Sequence, residues 1–370
     1  MLVVTGLNII VVSMAYFARI EKYRYLLGWA FALLAIVLGI RYGYGNDYFS
    51  YKYLFDKGIP EQGFIEDVEP GWLLLNKLFK PFGFSTFVFF LTAIEHLMLY
   101  DLIRRYVSPQ YYWLALFIYL FNPSFMLIGL SMMRQFLVQI LGFYAIEYVY
   151  KRKFIHFAVL ILVCVSIHKV GLLLIPFALF PLASKISFGK GTISFLLVIG
   201  FLILFFIISR MDTIIQLLVE IFAESDMKYG KSYLTESDLS EEQRLNPKIL
   251  IRYALYVLLL VRNFKNISAF NCNSFFAVMV TFGILFIPFA TISPMAMRVS
   301  WIYSMAVIIA LPMLLQKEQL PIIRVIIVLG FVLILFREFE NHFISEVYGK
   351  YYMNYHTIFS DYAINNIRLY

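Results

Sequence analysis

Apolar residues run along this chain in blocks divided by short polar joins, and strand-like alternation is absent. A helix needs about 20 mostly apolar residues to cross the hydrocarbon core of a bilayer. At that depth the backbone must satisfy its own hydrogen bonds, which a helix does. The blocks predict spans near 2–18, 25–41, 84–103, 110–128, 131–150, 154–168, 169–183, 191–209, 248–262, 273–293, 296–315 and 319–337. An all-α polytopic membrane protein of about 12 transmembrane helices follows. Residues 1–370 read as a single integral membrane domain, and Met1 to Phe17 as its first helix.

The block 154–183 is long for one span and short for two. It reads as a hairpin of short helices broken at His168–Gly171, with one tilted helix as the alternative. Three segments exceed what a connector needs: 42–83, 210–247 and 338–370. Long loops in compact folds are usually functional. In the first, Tyr48, Tyr51 and Phe55 share one helical face, and Trp72, Leu75 and Phe79 another. The second is polar and acid-rich from Glu236 to Glu242 and suits a lid; the third is a tail crowded with tyrosines.

Composition agrees with the pattern: 62% of residues are hydrophobic and only 15% charged, against roughly a quarter charged in soluble domains. The net charge of +8 is therefore read as topology, and no nucleic-acid partner is expected. Basic joins recur at Arg19/Lys22/Arg24, Arg104/Arg105, Lys151/Arg152/Lys153, Lys185/Lys190, Arg262/Lys265 and Lys317/Arg324. With these inside, the alternate joins and both termini fall outside. Cys164 and Cys272 form no metal or disulfide pattern. No set of His, Asp and Glu has metal-ligand spacing, so neither metal nor cofactor is expected.

Several arginines lie on the outer side. Arg41 ends the second span, and Arg134 with Gln135 opens the fifth. Arg252 and Arg298 stand near the starts of the ninth and eleventh, while Arg210 and Arg244 flank the middle loop. A guanidinium grips phosphate through a fixed fork of donors; the alternative is that each snorkels to the headgroups. His168 and Lys169 sit at membrane depth, where polar side chains are costly and commonly functional. Histidine titrates near neutrality, which suits a general base; the alternative is a core histidine bonded to a carbonyl. His96 follows Glu95 and reads best as paired with it. Asp47 either caps the next helix or receives a sugar hydroxyl's proton, with Tyr48 and Tyr51 as stacking faces. Glu69, before Pro70-Gly71, suits a helix N-terminus.

Arg41-Tyr-Gly-Tyr-Gly-Asn-Asp47-Tyr48 with Tyr51, Glu69-Pro-Gly-Trp72, Met133-Arg134-Gln135, Ser166-Ile-His168-Lys169, and Arg298 with Tyr303 occur in that order. Together they resemble the EpsG family of bacterial exopolysaccharide polymerases, related in role to the Wzy O-antigen polymerases. The family commonly has Gly-Thr-Asp where this chain has Gly45-Asn46-Asp47. The resemblance spans roughly residues 40 to 305, and the tail after Glu338 carries less of it.

The resemblance implies a multi-pass glycosyltransferase of GT-C-like architecture in the bacterial cytoplasmic membrane, its active site facing outward. Its substrates would be undecaprenyl-pyrophosphate-linked oligosaccharides, one chain passing to the non-reducing end of another carrier's repeat unit. His168, or Asp47, would deprotonate the acceptor. Arg134 and Arg298, with Arg41 and Lys169, would stabilise the departing pyrophosphate. Glu69, Gln135, Tyr48, Tyr51, Arg252, Arg210 and Arg244 complete the expected substrate contacts. Membrane lipids and a chain-length regulator are candidate partners. The rival readings are a membrane O-acyltransferase of cell-surface sugars and a lipid-linked oligosaccharide flippase or ligase.

Overall fold

A computed structural model describes residues 1–58, 68–179, 247–263, 272–285, 294–346 and 348–361. The chain forms two compact units, Met1–Phe180 with Leu335–Tyr370, and Pro181–Ile334. The first unit opens with α1 (Leu2–Phe17), α2 (Leu26–Gly39) and the two-residue strand β1 (Arg41–Tyr42). Two short helices follow, α3 (Tyr48–Lys57) and α4 (Pro70–Phe79), then α5 (Phe84–Tyr106) and α6 (Tyr112–Phe121). Next come α7 (Met126–Ser131), α8 (Met133–Tyr150) and α9 (Phe154–Ile167), with a 3-10 segment over Lys169–Leu179.

The second unit contains α10 (Pro247–Asn263), α11 (Cys272–Leu285), α12 (Pro294–Ser304) and α13 (Val307–Lys317). Helix α14 (Pro321–Ile344) begins there, and its portion from Leu335 belongs to the first unit. That unit ends with α15 (Gly349–Tyr352) and strand β2 (His356–Thr357). The protein is thus an all-α membrane protein, with one antiparallel two-residue ladder among the described residues, Arg41 opposite Thr357 and Tyr42 opposite His356. Among the described residues, the stretches Glu21–Gly39, Phe84–Tyr106 and Val299–Lys317 are long and apolar enough to cross a membrane.

Several expected spans are subdivided. The stretch 110–128 breaks at Asn122-Pro123, because proline has no N–H and crowds a helical predecessor. Asn122 Oδ1 then accepts the Ser124 N–H at 3.1 Å. The stretch 296–315 divides into α12 and α13. The last span runs on to Ile344, so the expected tail from 338 begins as helix. The span expected at 191–209 and the loop at 210–247 lie outside the described residues.

The block 154–183 folds as a hairpin through its described part. His168 leaves α9 in extended backbone, φ −157° and ψ 130°. Gly171 then packs back on α9, where a Cβ would stand 2.9 Å from both Cys164 Cβ and Val165 N. The same closeness recurs at Gly142, where a Cβ would meet Leu174 Cδ1 at 2.7 Å. Small residues permit such approach between apolar helices.

The first unit is polarised along its helices. Arg24 and Arg104 both lie in electrostatic reach of Tyr112. Arg105 bonds Glu147 and Asp101, each at 2.6 Å, and Lys151 bonds Glu147 at 2.7 Å. The basic joins after α1, α5 and α8 therefore share one end. At the other end the N-terminal ammonium donates to the Met353 carbonyl, and α3 and α4 pack over the start of α5. Tyr48 meets Phe84 edge-on at 5.3 Å, Phe55 stacks on Phe87 at 5.7 Å, and Trp72 meets Phe87 at 5.2 Å. The two faces expected from spacing are those buried, with Tyr51, Leu75 and Phe79 partly so. Lys80 Nζ donates to the Phe55 and Asp56 carbonyls, fastening α3 to α4.

Gly71 seats α4 on the end of α9. A Cβ there would overlap Ser166 Oγ and stand 2.7 Å from the Ser166 carbonyl oxygen. Gly71→Ala should cost about 1–3 kcal/mol through overpacking, read as a lower melting temperature in detergent. Gly6→Ala, where nothing lies within 4 Å, should not lower it. An unchanged midpoint for Gly71→Ala would refute the close seat.

Candidate active site

Pro70 at the first turn fixes where α4 begins, and Gly71 sets its seat on α9. Glu69, the residue just before, does not cap its own helix. Its carboxylate turns inward and is 6% exposed. Glu69 Oε2 accepts from Arg134 Nη1 at 2.6 Å, and Oε1 accepts the Lys169 backbone N–H at 2.9 Å. His168 Nδ1 stands 3.2 Å from Oε1, close but not aligned as a straight hydrogen bond. Burial pushes the Glu69 carboxyl up, but His168, the Lys169 N–H and Arg134 together outweigh it and hold the group at about 2.

Arg134 opens α8 directly after the α7–α8 break, and its guanidinium lies over the Tyr51 ring at 5.8 Å. Tyr51 in turn meets Trp72 edge-on at 5.5 Å. Arg134 Nη1 bonds Glu69, and the Tyr51 hydroxyl also bonds the guanidinium. His168 and Arg134 remain 18% and 20% exposed, enough to meet a ligand. A carboxylate beside Nδ1 favours the proton there and leaves Nε2 with the lone pair. The cluster can therefore accept a proton, stabilise the resulting imidazolium and bind an anion.

The other expected site residues are placed differently. Arg41 is 2% exposed. Its Nη1 donates to the Leu38 carbonyl at 2.7 Å and to Thr92 Oγ1 at 2.8 Å, and its Nη2 to the Leu130 carbonyl at 3.2 Å. Glu95 lies in electrostatic reach of it. Expected at the pyrophosphate, Arg41 is instead a buried brace between α2, α5 and α7. Tyr48 is fully buried and donates to the Arg41 carbonyl at 3.3 Å, so it offers no open stacking face. Gln135 is buried as well.

Asp47 is half-buried at the start of α3 and its side chain makes no capping bond. Lys169 is exposed next to the cluster, and Arg252 is half-buried on α10. Arg298 belongs to α12, but its side chain, like Arg210 and Arg244, lies outside the described residues. His96 does not pair with Glu95: Nδ1 stands 2.7 Å from the Thr92 carbonyl and Nε2 3.1 Å from the Tyr119 hydroxyl.

Sequence reasoning ranked Glu69 as a peripheral contact, whereas it joins every other member of the cluster. Its position before Pro-Gly in an aromatic stretch was the available signal. The tyrosine-crowded tail stands out in the sequence, but only the fold brings Tyr352 to Ser131 and Ser131 to Asn46 and Asp47.

Two measurements test this geometry. Glu69 has a folded value near 2, below its ordinary 4.5. Its stabilisation is complete above 4.5 and lost as pH falls toward 2. The melting-temperature gap between wild type and Glu69→Gln should shrink over that window. Arg41→Met should cost about 1–3 kcal/mol by leaving the buried Leu38 and Leu130 carbonyls and Thr92 Oγ1 without their donor. Thermal unfolding in detergent reads both.

No curated protein and no solved structure matches the chain. A family model does match, described as the EpsG family, over residues 24–357. That range takes in Glu69, Arg134, His168 and the β2 strand, and the chain belongs to the EpsG family.

Proposed function

We propose that this protein polymerises lipid-linked oligosaccharides, transferring a glycan from undecaprenyl pyrophosphate to the non-reducing end of another carrier-linked repeat unit. The observation that carries the reading is the Glu69–Arg134–His168 cluster, at the end of its unit opposite the basic joins. Basic joins favour the cytoplasmic side, which puts the cluster at the outer leaflet, where lipid-linked rather than nucleotide-linked donors are available. A GT-C-like bundle of about 12 spans in the bacterial cytoplasmic membrane goes with this reading.

In the proposed step the acceptor hydroxyl gives its proton to His168 Nε2 while its oxygen bonds to the donor's anomeric carbon. The bond from that carbon to the pyrophosphate oxygen breaks, and its electron pair leaves with the pyrophosphate. Glu69 stays ionised and stabilises the imidazolium. Arg134 and the exposed Lys169 ammonium neutralise the leaving group, where fixed charge is worth most.

Polymerisation by purified protein on undecaprenyl-pyrophosphate repeat units tests this. His168→Ala should lower kcat by about 10²–10⁴-fold, as loss of a general base does. Arg134→Ala should cost about 10²–10³-fold in kcat, with Lys169→Ala raising KM. Near-wild-type turnover in both His168→Ala and Arg134→Ala would overturn these roles.

A further inference from the structure

Arg134 carries the anion-binding part of the proposed step, and its bond to Glu69 does not by itself fix the guanidinium. A single N–H on a single carboxylate oxygen lacks the two parallel bonds that set the plane of an arginine fork. The second contact comes from α3. The Tyr51 hydroxyl is hydrogen-bonded by both the side chain and the backbone N–H of Arg134, and the guanidinium carbon stands 5.8 Å from the centre of the Tyr51 ring.

The backbone bond has a local cause. Arg134 lies in the first turn of α8, where N–H groups have no partner within the helix. Met132, at the cap of α8, makes no side-chain bond to that end. One phenol oxygen therefore serves the helix start and the guanidinium together. Tyr51 is itself held: it is partly buried, and its ring meets Trp72 edge-on at 5.5 Å. Trp72 is 1% exposed and meets Phe87 of α5 at 5.2 Å. Glu69 and Trp72 both belong to the start of α4. That helix thus restrains Arg134 twice, through a carboxylate directly and through an indole that backs the phenol.

We propose that Tyr51 is a positioning residue that holds the Arg134 guanidinium in place for the departing pyrophosphate. The reaction it serves rests on the polymerase reading, whereas the contact with Arg134 stands without it. Tyr51 acts through Arg134 and makes no bond to the substrate.

The test uses the full chain in detergent, with inorganic pyrophosphate as the binding probe and polymerisation as the second readout. Tyr51→Phe keeps the ring on Trp72 and removes only the hydroxyl. It should weaken pyrophosphate binding and lower kcat by about three- to tenfold each, the size of one hydrogen bond, with KM retained. In the Arg134→Ala background the same substitution should change neither further, because residues that act through one contact are not additive. Tyr53→Phe, exposed on the same helix, should behave as wild type. Wild-type kcat and affinity in Tyr51→Phe, or equal fold losses with and without Arg134, would overturn the positioning role, as would no pyrophosphate binding by wild type. Pyrophosphate binding with the expected coupling but no polymerisation would sustain that role and defeat the polymerase reading.

Discussion

A carboxylate taken out of water must find cations or N–H donors close by, or it is driven to its neutral form. Glu69 meets this need with groups from two distant segments, the start of α8 and the end of α9. One buried charge therefore ties together positions 69, 134, 168 and 169. Close packing enforces the same meeting, since Gly71 seats α4 against the backbone of Ser166. The geometry of the cluster and tertiary docking are one constraint here: a shift of α4 would part the carboxylate from all its partners at once.

Arg41 and Arg134 show how environment divides two identical side chains. Arg41 turns both terminal nitrogens onto carbonyls and Thr92 in a buried interior, with Glu95 in electrostatic reach. Arg134 spends one donor on Glu69 and stays a fifth exposed, so it can still meet an anion. The difference lies in which carbonyls lie near. The helix breaks after Leu38 and Leu130 present theirs to Arg41, and Arg134 begins a helix instead of ending one.

The C-terminal strap closes on the end of the first unit opposite the basic joins. Its two-residue ladder is small, yet it is reinforced by aromatic edges and by the turn at Gly43 and Gly45, with φ of 64° and 108°. Those values favour glycine, and a Cβ at Gly45 would crowd the Ser131 Cα at 3.1 Å. The same glycines that let the chain turn after Arg41 thus bring Ser131, Asn46 and Asp47 together.

Much of this was legible in the chain itself. Apolar blocks of span length mark the helices, because the bilayer sets their length and forces their backbone to pair internally. The hairpin break was marked by His168, Lys169 and Gly171, and the amphipathic faces of α3 and α4 by their aromatic spacing. The ordered motifs identified the family. What periodicity reports is the face a residue occupies, not what stands opposite. The burial of Arg41, the bond of His96 to Tyr119 rather than Glu95, and the convergence on Glu69 were therefore decided only by the fold. A charge in an apolar interior takes whichever partner the packing brings within about 3 Å, and that distance is a property of three dimensions.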